Sequence, residues 1–189
     1  MRKKLNIVWL KRDFRTNDHE PLNEAEKSEI DYVIIYLFEA KQINHDDFSI
    51  RHQQFIYHSI LAMNKSLKKY NRKVFIFKTE AHVLFDYLST KFKIDTVFSH
   101  KESGTKITWN RDKKVAYNLK KSNIKWKEFD CQGVIRGSKN RIGWDKNWFN
   151  YANSSLINNN FSINKFNFKI KAFKFDVKDS PYLLEYPKQ

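Results

Sequence analysis

Short apolar runs alternate with amphipathic stretches through the first two thirds of the chain. Leu5–Leu10 is apolar and contains β-branched residues, the pattern of a central strand. Tyr32–Phe38, YVIIYLF, is apolar almost throughout, as strands covered on both faces are in parallel sheets. Lys73–Phe77, Asp95–Ser99 and Lys125–Phe129 predict three more strands, the last being the weakest. Between them lie helical patterns. Asp18 is placed to cap a helix with Glu20 and Pro21 in its first turn, running to about Ser28. Ser49 is placed to cap a long helix to about Tyr70, with Ile56, Ile60, Met63 and Leu67 as its buried stripe. A third helix follows Thr79, with Val83, Leu84, Tyr87, Leu88 and Phe92 on one side, and a fourth spans about Trp109–Lys121, with Val115, Ala116 and Leu119 inward.

Strand and helix alternating in this way predict an α/β fold: a doubly wound, Rossmann-like, five-stranded parallel sheet with helices on both faces and probable order 3-2-1-4-5. The pattern ends after Gly133. Residues 1–135 form the expected α/β domain, and 136–189 a linker-like extension rich in Lys, Asn, Phe and Ser. Within it, alternation over Phe166–Phe175 fits either one edge strand or a connecting segment lying on the domain surface.

Composition narrows the class. The 189 residues are 41% hydrophobic and 16% aromatic, enough for a packed core. A single cysteine, Cys131, excludes a disulfide framework and a cysteine-rich zinc site. No stretch approaches the length of a membrane span and the N-terminal apolar run is too short for a signal peptide, so a cytoplasmic protein is expected. Six histidines are scattered without metal-ligand spacing.

The net charge is +15. It fits either attraction to phosphate or lysine-rich composition without a ligand. Clusters at Lys120, Lys121, Lys125 and Lys127, and at Arg136, Lys139 and Arg141, motivate an alternative reading as a basic nucleic-acid-binding or protein-interaction module.

No glycine-rich phosphate loop, HExxH or GxSxG occurs. The first strand runs instead into Val8-Trp9-Leu10-Lys11-Arg12-Asp13-Phe14-Arg15-Thr16-Asn17-Asp18-His19-Glu20-Pro21-Leu22. This segment resembles the opening signature of the DNA photolyase and cryptochrome family, with Val8, Trp9, Arg12, Asp13, Arg15, Asp18 and Leu22 in place. Arg51 at the start of the long helix, Glu102–Ala116, Trp126–Phe129, Gly133–Arg136 and Arg141–Trp144 extend the likeness to about residue 150.

The resemblance implies an amino-terminal antenna domain of a flavoprotein that repairs pyrimidine dimers in light or senses blue light. It implies a pigment, either methenyltetrahydrofolate, 8-hydroxydeazaflavin or a flavin. FAD and damaged DNA would belong to a carboxy-terminal helical domain absent from these residues, and the chain alone, an expected monomer, would lack repair activity.

The candidate cofactor-binding residues are Lys11, Arg12, Asp13, Arg15, His100, Glu102 and Arg111. The first four leave the first strand at the edge where open α/β sheets bind ligands. Arg12, Asp13 and Arg15 either anchor the pigment or form an internal ion-pair cluster, with Asp13 between the arginines. Glu102 either accepts from a ring or is solvated. His100 stands where deazaflavin-using relatives have an acidic residue. Arg111 and Asp112, adjacent on a helix, are expected to point apart, one to the cleft and one to solvent, or to make surface salt bridges. Trp9 reads as core; Trp144 and Trp148, four apart, either pack ordinarily or form an exposed pair. No catalytic residue and no metal site is expected.

Overall fold

The computed structural model describes residues 2–137 and 140–188. Five strands, β1 (Lys4–Trp9), β2 (Tyr32–Phe38), β3 (Val74–Lys78), β4 (Lys93–His100) and β5 (Lys125–Phe129), form one sheet in the order β3-β2-β1-β4-β5. Every pairing is parallel, with Val8 opposite Ile34 and Phe98, and Val97 opposite Trp126. The helices are α1 (Glu20–Glu26), α2 (Ala40–Ile43), α3 (Ile50–Leu67), α4 (Ala81–Lys91), α5 (Lys106–Lys121) and α6 (Trp144–Ala152).

The period-two geometry of a strand explains why β2 is apolar throughout. Val33, Ile35 and Leu37 face one layer, with Leu84, Phe85 and Leu88 of α4 and Val115 and Leu119 of α5. Tyr32, Ile34, Tyr36 and Phe38 face the other, with Leu22 of α1 and Ile60, Met63 and Leu67 of α3. Each face therefore has its own core, which is the doubly wound arrangement.

Several local expectations need correction. The N-cap of α1 is His19, not Asp18, whose φ of 50° is left-handed. Ala116 and Val83 are exposed, while Phe85, unassigned from the pattern, is buried. α5 begins at Lys106, before Trp109. The Phe166–Phe175 segment makes no strand: it meets β3 through an isolated antiparallel bridge, Phe77 to Lys174. Lys78 N–H donates to Phe173 O (2.8 Å) and Phe175 N–H to Ile76 O (3.1 Å), so part of the β3 edge is covered. Phe166 and Phe168 enter one core, and Phe175 and Leu183 the other.

Candidate functional site

The carboxyl ends of β1, β2 and β4 converge on a patch of ionisable side chains. β1 leaves the sheet after Trp9, and the chain turns at once because Asp13 Oδ1 accepts from the Lys11 N–H (2.8 Å). The other Asp13 oxygen lies 2.5 Å from His100 Nδ1 and 2.9 Å from His19 Nε2. All three side chains are buried. His19 Nδ1 accepts the Leu22 N–H at the start of α1 (3.2 Å), so the proton of the neutral ring sits on Nε2. That N–H is close to Asp13 but poorly aligned for a hydrogen bond.

Burial raises the Asp13 pKa, but the His100 hydrogen bond and the His19 contact outweigh it and hold the carboxyl well below the usual range. Burial pushes His19 down, against the pull of Asp13. The Asp13, His19 and His100 ligand atoms are near enough to raise the question of a metal. The spacing answers as hydrogen bonding. Two nitrogen or oxygen ligands at ~2 Å on a tetrahedral ion stand roughly 3.3 Å apart, and a protonated Nε2 offers no lone pair. The cluster thus ties the first loop to β4 and α1.

On the other side of Lys11 the same edge opens into a cleft of about 360 Å³. Its walls come from the ends of β1 and β2, the α2–α3 connection, the start of α3 and the start of α5. Trp9, Phe14, Tyr36, Phe48 and Phe55 contribute five aromatic rings to its lining, among polar and charged side chains. Its floor is an ion network. Arg111 forks between Glu39 (3.1 Å), Glu102 (2.5 Å) and Asp112 (2.8 Å), and its guanidinium lies 4.9 Å from the Trp9 ring. Arg12 Nε donates to the second Glu102 oxygen (2.8 Å). Lys11 Nζ reaches Asp112 at 2.9 Å and Glu128 at 3.5 Å, between the rings of Trp9 and Trp126.

Burial opposes the charge on Arg111, but Glu102, Asp112 and Glu39 outweigh it and raise its pKa. Burial raises Glu39, against Arg111 and the Ala81 N–H, which donates to Glu39 Oε1 (2.8 Å). Burial and the carboxylates of Glu39 and Glu102 push the Tyr36 phenol up, so it stays neutral. With Arg136 on Glu128 (3.3 Å), four cations face four carboxylates, so the floor is fixed and charge-balanced. Polar groups left for a ligand include the exposed arm of Arg12 and the side-chain amide of Gln42, which has no hydrogen bond to the described residues; His45, Asp47 and His52 line the cleft as well.

The seven expected site residues fall into two groups. Lys11, Arg12, Glu102 and Arg111 line the cleft. Arg15 and His100 line a separate polar crevice of about 490 Å³ beneath Tyr151, and Asp13 is enclosed between the two. Asp13 pairs with histidines rather than with Arg12 or Arg15. Glu102 is buried and each of its oxygens already takes a guanidinium hydrogen bond, so it is not a solvated loop residue. Arg111 and Asp112 both turn inward instead of diverging.

Glu39, Tyr36, Gln42 and His19 were not singled out by sequence. Glu39 had a readable signal, since it directly follows β2 at the edge that Lys11 leaves.

A family model described as DNA photolyase matches residues 6–138. The chain is 25% identical over 101 residues to cryptochrome DASH of Synechocystis sp. (strain ATCC 27184 / PCC 6803 / Kazusa), covering 51% of this chain but 21% of that protein. Among solved structures it is similar to an archaeal photolyase from Sulfolobus tokodaii, determined with two FAD molecules and described as implicating a novel light-harvesting cofactor. There the TM-score is 0.71 at 16% identity, over 98% of this chain and 42% of that one. Synechocystis sp. PCC6803 cryptochrome gives a TM-score of 0.76 at 15% identity, over 94% and 40%. A class III photolyase from Agrobacterium tumefaciens gives 0.71 at 16%, over 96% and 39%. At those identities the structural likeness speaks for the fold, and the chain spans well under half the length of each relative. The match over residues 6–138, on a five-stranded sheet of this order, shows that the chain belongs to the DNA photolyase family.

Proposed function

We propose that this chain is the light-harvesting domain of a photolyase- or cryptochrome-like flavoprotein, with the aromatic cleft as its pigment seat. One observation carries the proposal: an aromatic-lined cleft opens over a fixed ionic floor at the carboxyl edge of the sheet. The chemistry fits a conjugated ring. Aromatic walls stack on a flat system, and a few polar groups orient it. Arg12 and Gln42 are the anchors. Arg111, Glu102 and Glu39 hold their positions whether or not a ring is present.

A folate, a deazaflavin and a flavin all fit that description. The pigment supplies the absorption, and the protein supplies position and orientation. Excitation energy passing by dipole coupling to a flavin elsewhere requires no nucleophile or acid–base pair at this cleft. Light-driven dimer repair or blue-light sensing, contact with damaged DNA and a catalytic FAD belong in this reading to a helical domain beyond these residues.

The test is an absorption titration of the purified chain with methenyltetrahydrofolate, 8-hydroxydeazaflavin, FMN and FAD. At least one should bind with a shifted near-ultraviolet or blue band. Phe55→Ala, at an exposed cleft position, should weaken that binding about fivefold, for the loss of about 1 kcal/mol of ring contact. No shift with any of the four, in protein with native circular dichroism, contradicts the proposal.

A further inference from the structure

The opposite edge of the sheet carries a second opening, a groove of about 920 Å³ between the end of α3, the starts of β2 and β3, and residues 164–168. In a doubly wound fold strand starts and helix ends share this edge, and a basic last turn complements the helix dipole. That accounts for single lysines at helix ends. It does not account for Lys65, Lys68, Lys73 and Lys165 around one groove, drawn from three separate segments. None of the four lies within ion-pair distance of a carboxylate among the described residues, and no carboxylate lines the groove.

Arg72, the fifth cation there, is already used: it pairs with Glu26 at 2.9 Å and covers the Tyr32 ring. The groove is preformed. Asn164 N–H donates to Tyr70 O (2.9 Å), Asn71 Nδ2 to Asn164 O (2.8 Å) and Arg72 Nε to Ser162 O (3.0 Å), which locks the 162–168 wall against the turn after α3. Four like charges held around one rigid opening repel each other, and an anionic partner relieves that repulsion. The opening is far larger than one phosphate. Phe75 lies in its wall, a ring beside which Lys73 Nζ lies at 5.0 Å. Cations tracking a backbone beside an aromatic ring are the features that hold single strands.

We propose that this groove binds the sugar–phosphate backbone of single-stranded nucleic acid, without regard to damage, through Lys65, Lys68, Lys73 and Lys165. It stands apart from the pigment cleft and does not depend on it.

The test is fluorescence anisotropy with labelled, undamaged oligothymidylate of about twenty residues, against a duplex of similar length, across a salt series. Four phosphate contacts predict a slope of log affinity against log salt near −3, from about −0.7 per contact on a single strand. Each Lys→Gln substitution in the groove should reduce the slope by about 0.7. The quadruple groove variant should lose binding, while Lys113, Lys114, Lys120 and Lys121 changed together to Gln, an equal charge loss on α5, should leave affinity within about twofold. Absence of binding at about 50 mM salt overturns the proposal. So does an equal loss in both quadruple variants, which would show net charge alone, or tighter duplex binding indifferent to the groove lysines.

Discussion

Arg111 has three carboxylate partners, and its removal would leave Glu39, Glu102 and Asp112 close together with Glu39 and Glu102 buried. Breaking a buried pair from one side costs about 3–5 kcal/mol, because the remaining charge is uncompensated. Arg111→Ala should therefore lose stability of that order in urea unfolding. Arg111→Lys should recover part of it, since an ammonium keeps the charge but not the fork. Equal stability of Arg111→Ala and wild type would show that the network contributes nothing.

His19 makes a second residue-level prediction. Its pKa is below its ordinary 6.5 in the folded chain, so the unfolded chain takes up the proton first as pH falls below 6.5. Stability is thus fully present above 6.5 and declines below it, by up to about 1.4 kcal/mol per pH unit for one proton. Asp13 acts lower down: its carboxyl is depressed, so its contribution is present above 3.8 and lost as pH falls further. His19→Asn keeps a cap acceptor for Leu22 and should flatten the decline between about pH 6.5 and 4.5. An unchanged pH slope in the variant would assign the decline elsewhere. These two residues also show where reading by residue stopped. Motif density located Arg12, Asp13 and Glu102, but their partners come from the cap of α1, the end of β4 and α5, and no local pattern states that His19 and His100 rather than Arg12 lie against Asp13.

At the scale of elements, hydrophobic periodicity was a sufficient guide wherever one layer covered a strand or helix. YVIIYLF read as a strand with both faces covered, and the order expected of a doubly wound sheet is the one observed. The misreadings lie where two signals competed. Asp18 and His19 are both able to cap α1, and the left-handed Asp18 backbone gives the cap to His19. Alternating Phe and Lys over Phe166–Phe175 fitted either an edge strand or a connecting segment, and the backbone touches β3 at one bridge while its rings enter both cores. The segment therefore contributes by burial more than by pairing. Phe168→Ala should cost about 3 kcal/mol, as large-to-small changes in a core do. Phe173→Ala, more than a third exposed, should cost under about 1 kcal/mol. Chemical denaturation of the two variants separates a segment packed into the core from one merely resting on it, for which both losses would be small. Trp144 and Trp148, for which packing and an exposed pair were both open, are exposed on α6.

One topology places an opening at each end of the sheet. Strand ends, and the loops leaving them, build the aromatic cleft with its balanced ionic floor; strand starts and helix ends build the lysine groove. The net charge of +15 was readable from composition, but its concentration around one groove was not, since Lys65, Lys73 and Lys165 meet only in the fold. The dense sequence clusters proved less informative. Arg136 is paired with Glu128, Lys127 lies 5.8 Å from the Phe98 ring, and Lys139 lies outside the described residues. A crystal structure of the chain with whichever pigment shifts its spectrum tests the central claim most directly. The account predicts ring density between Tyr36, Phe48 and the start of α5, above Arg111. Density in the crevice beside His100 and Tyr151, with the aromatic cleft filled by solvent, would contradict it.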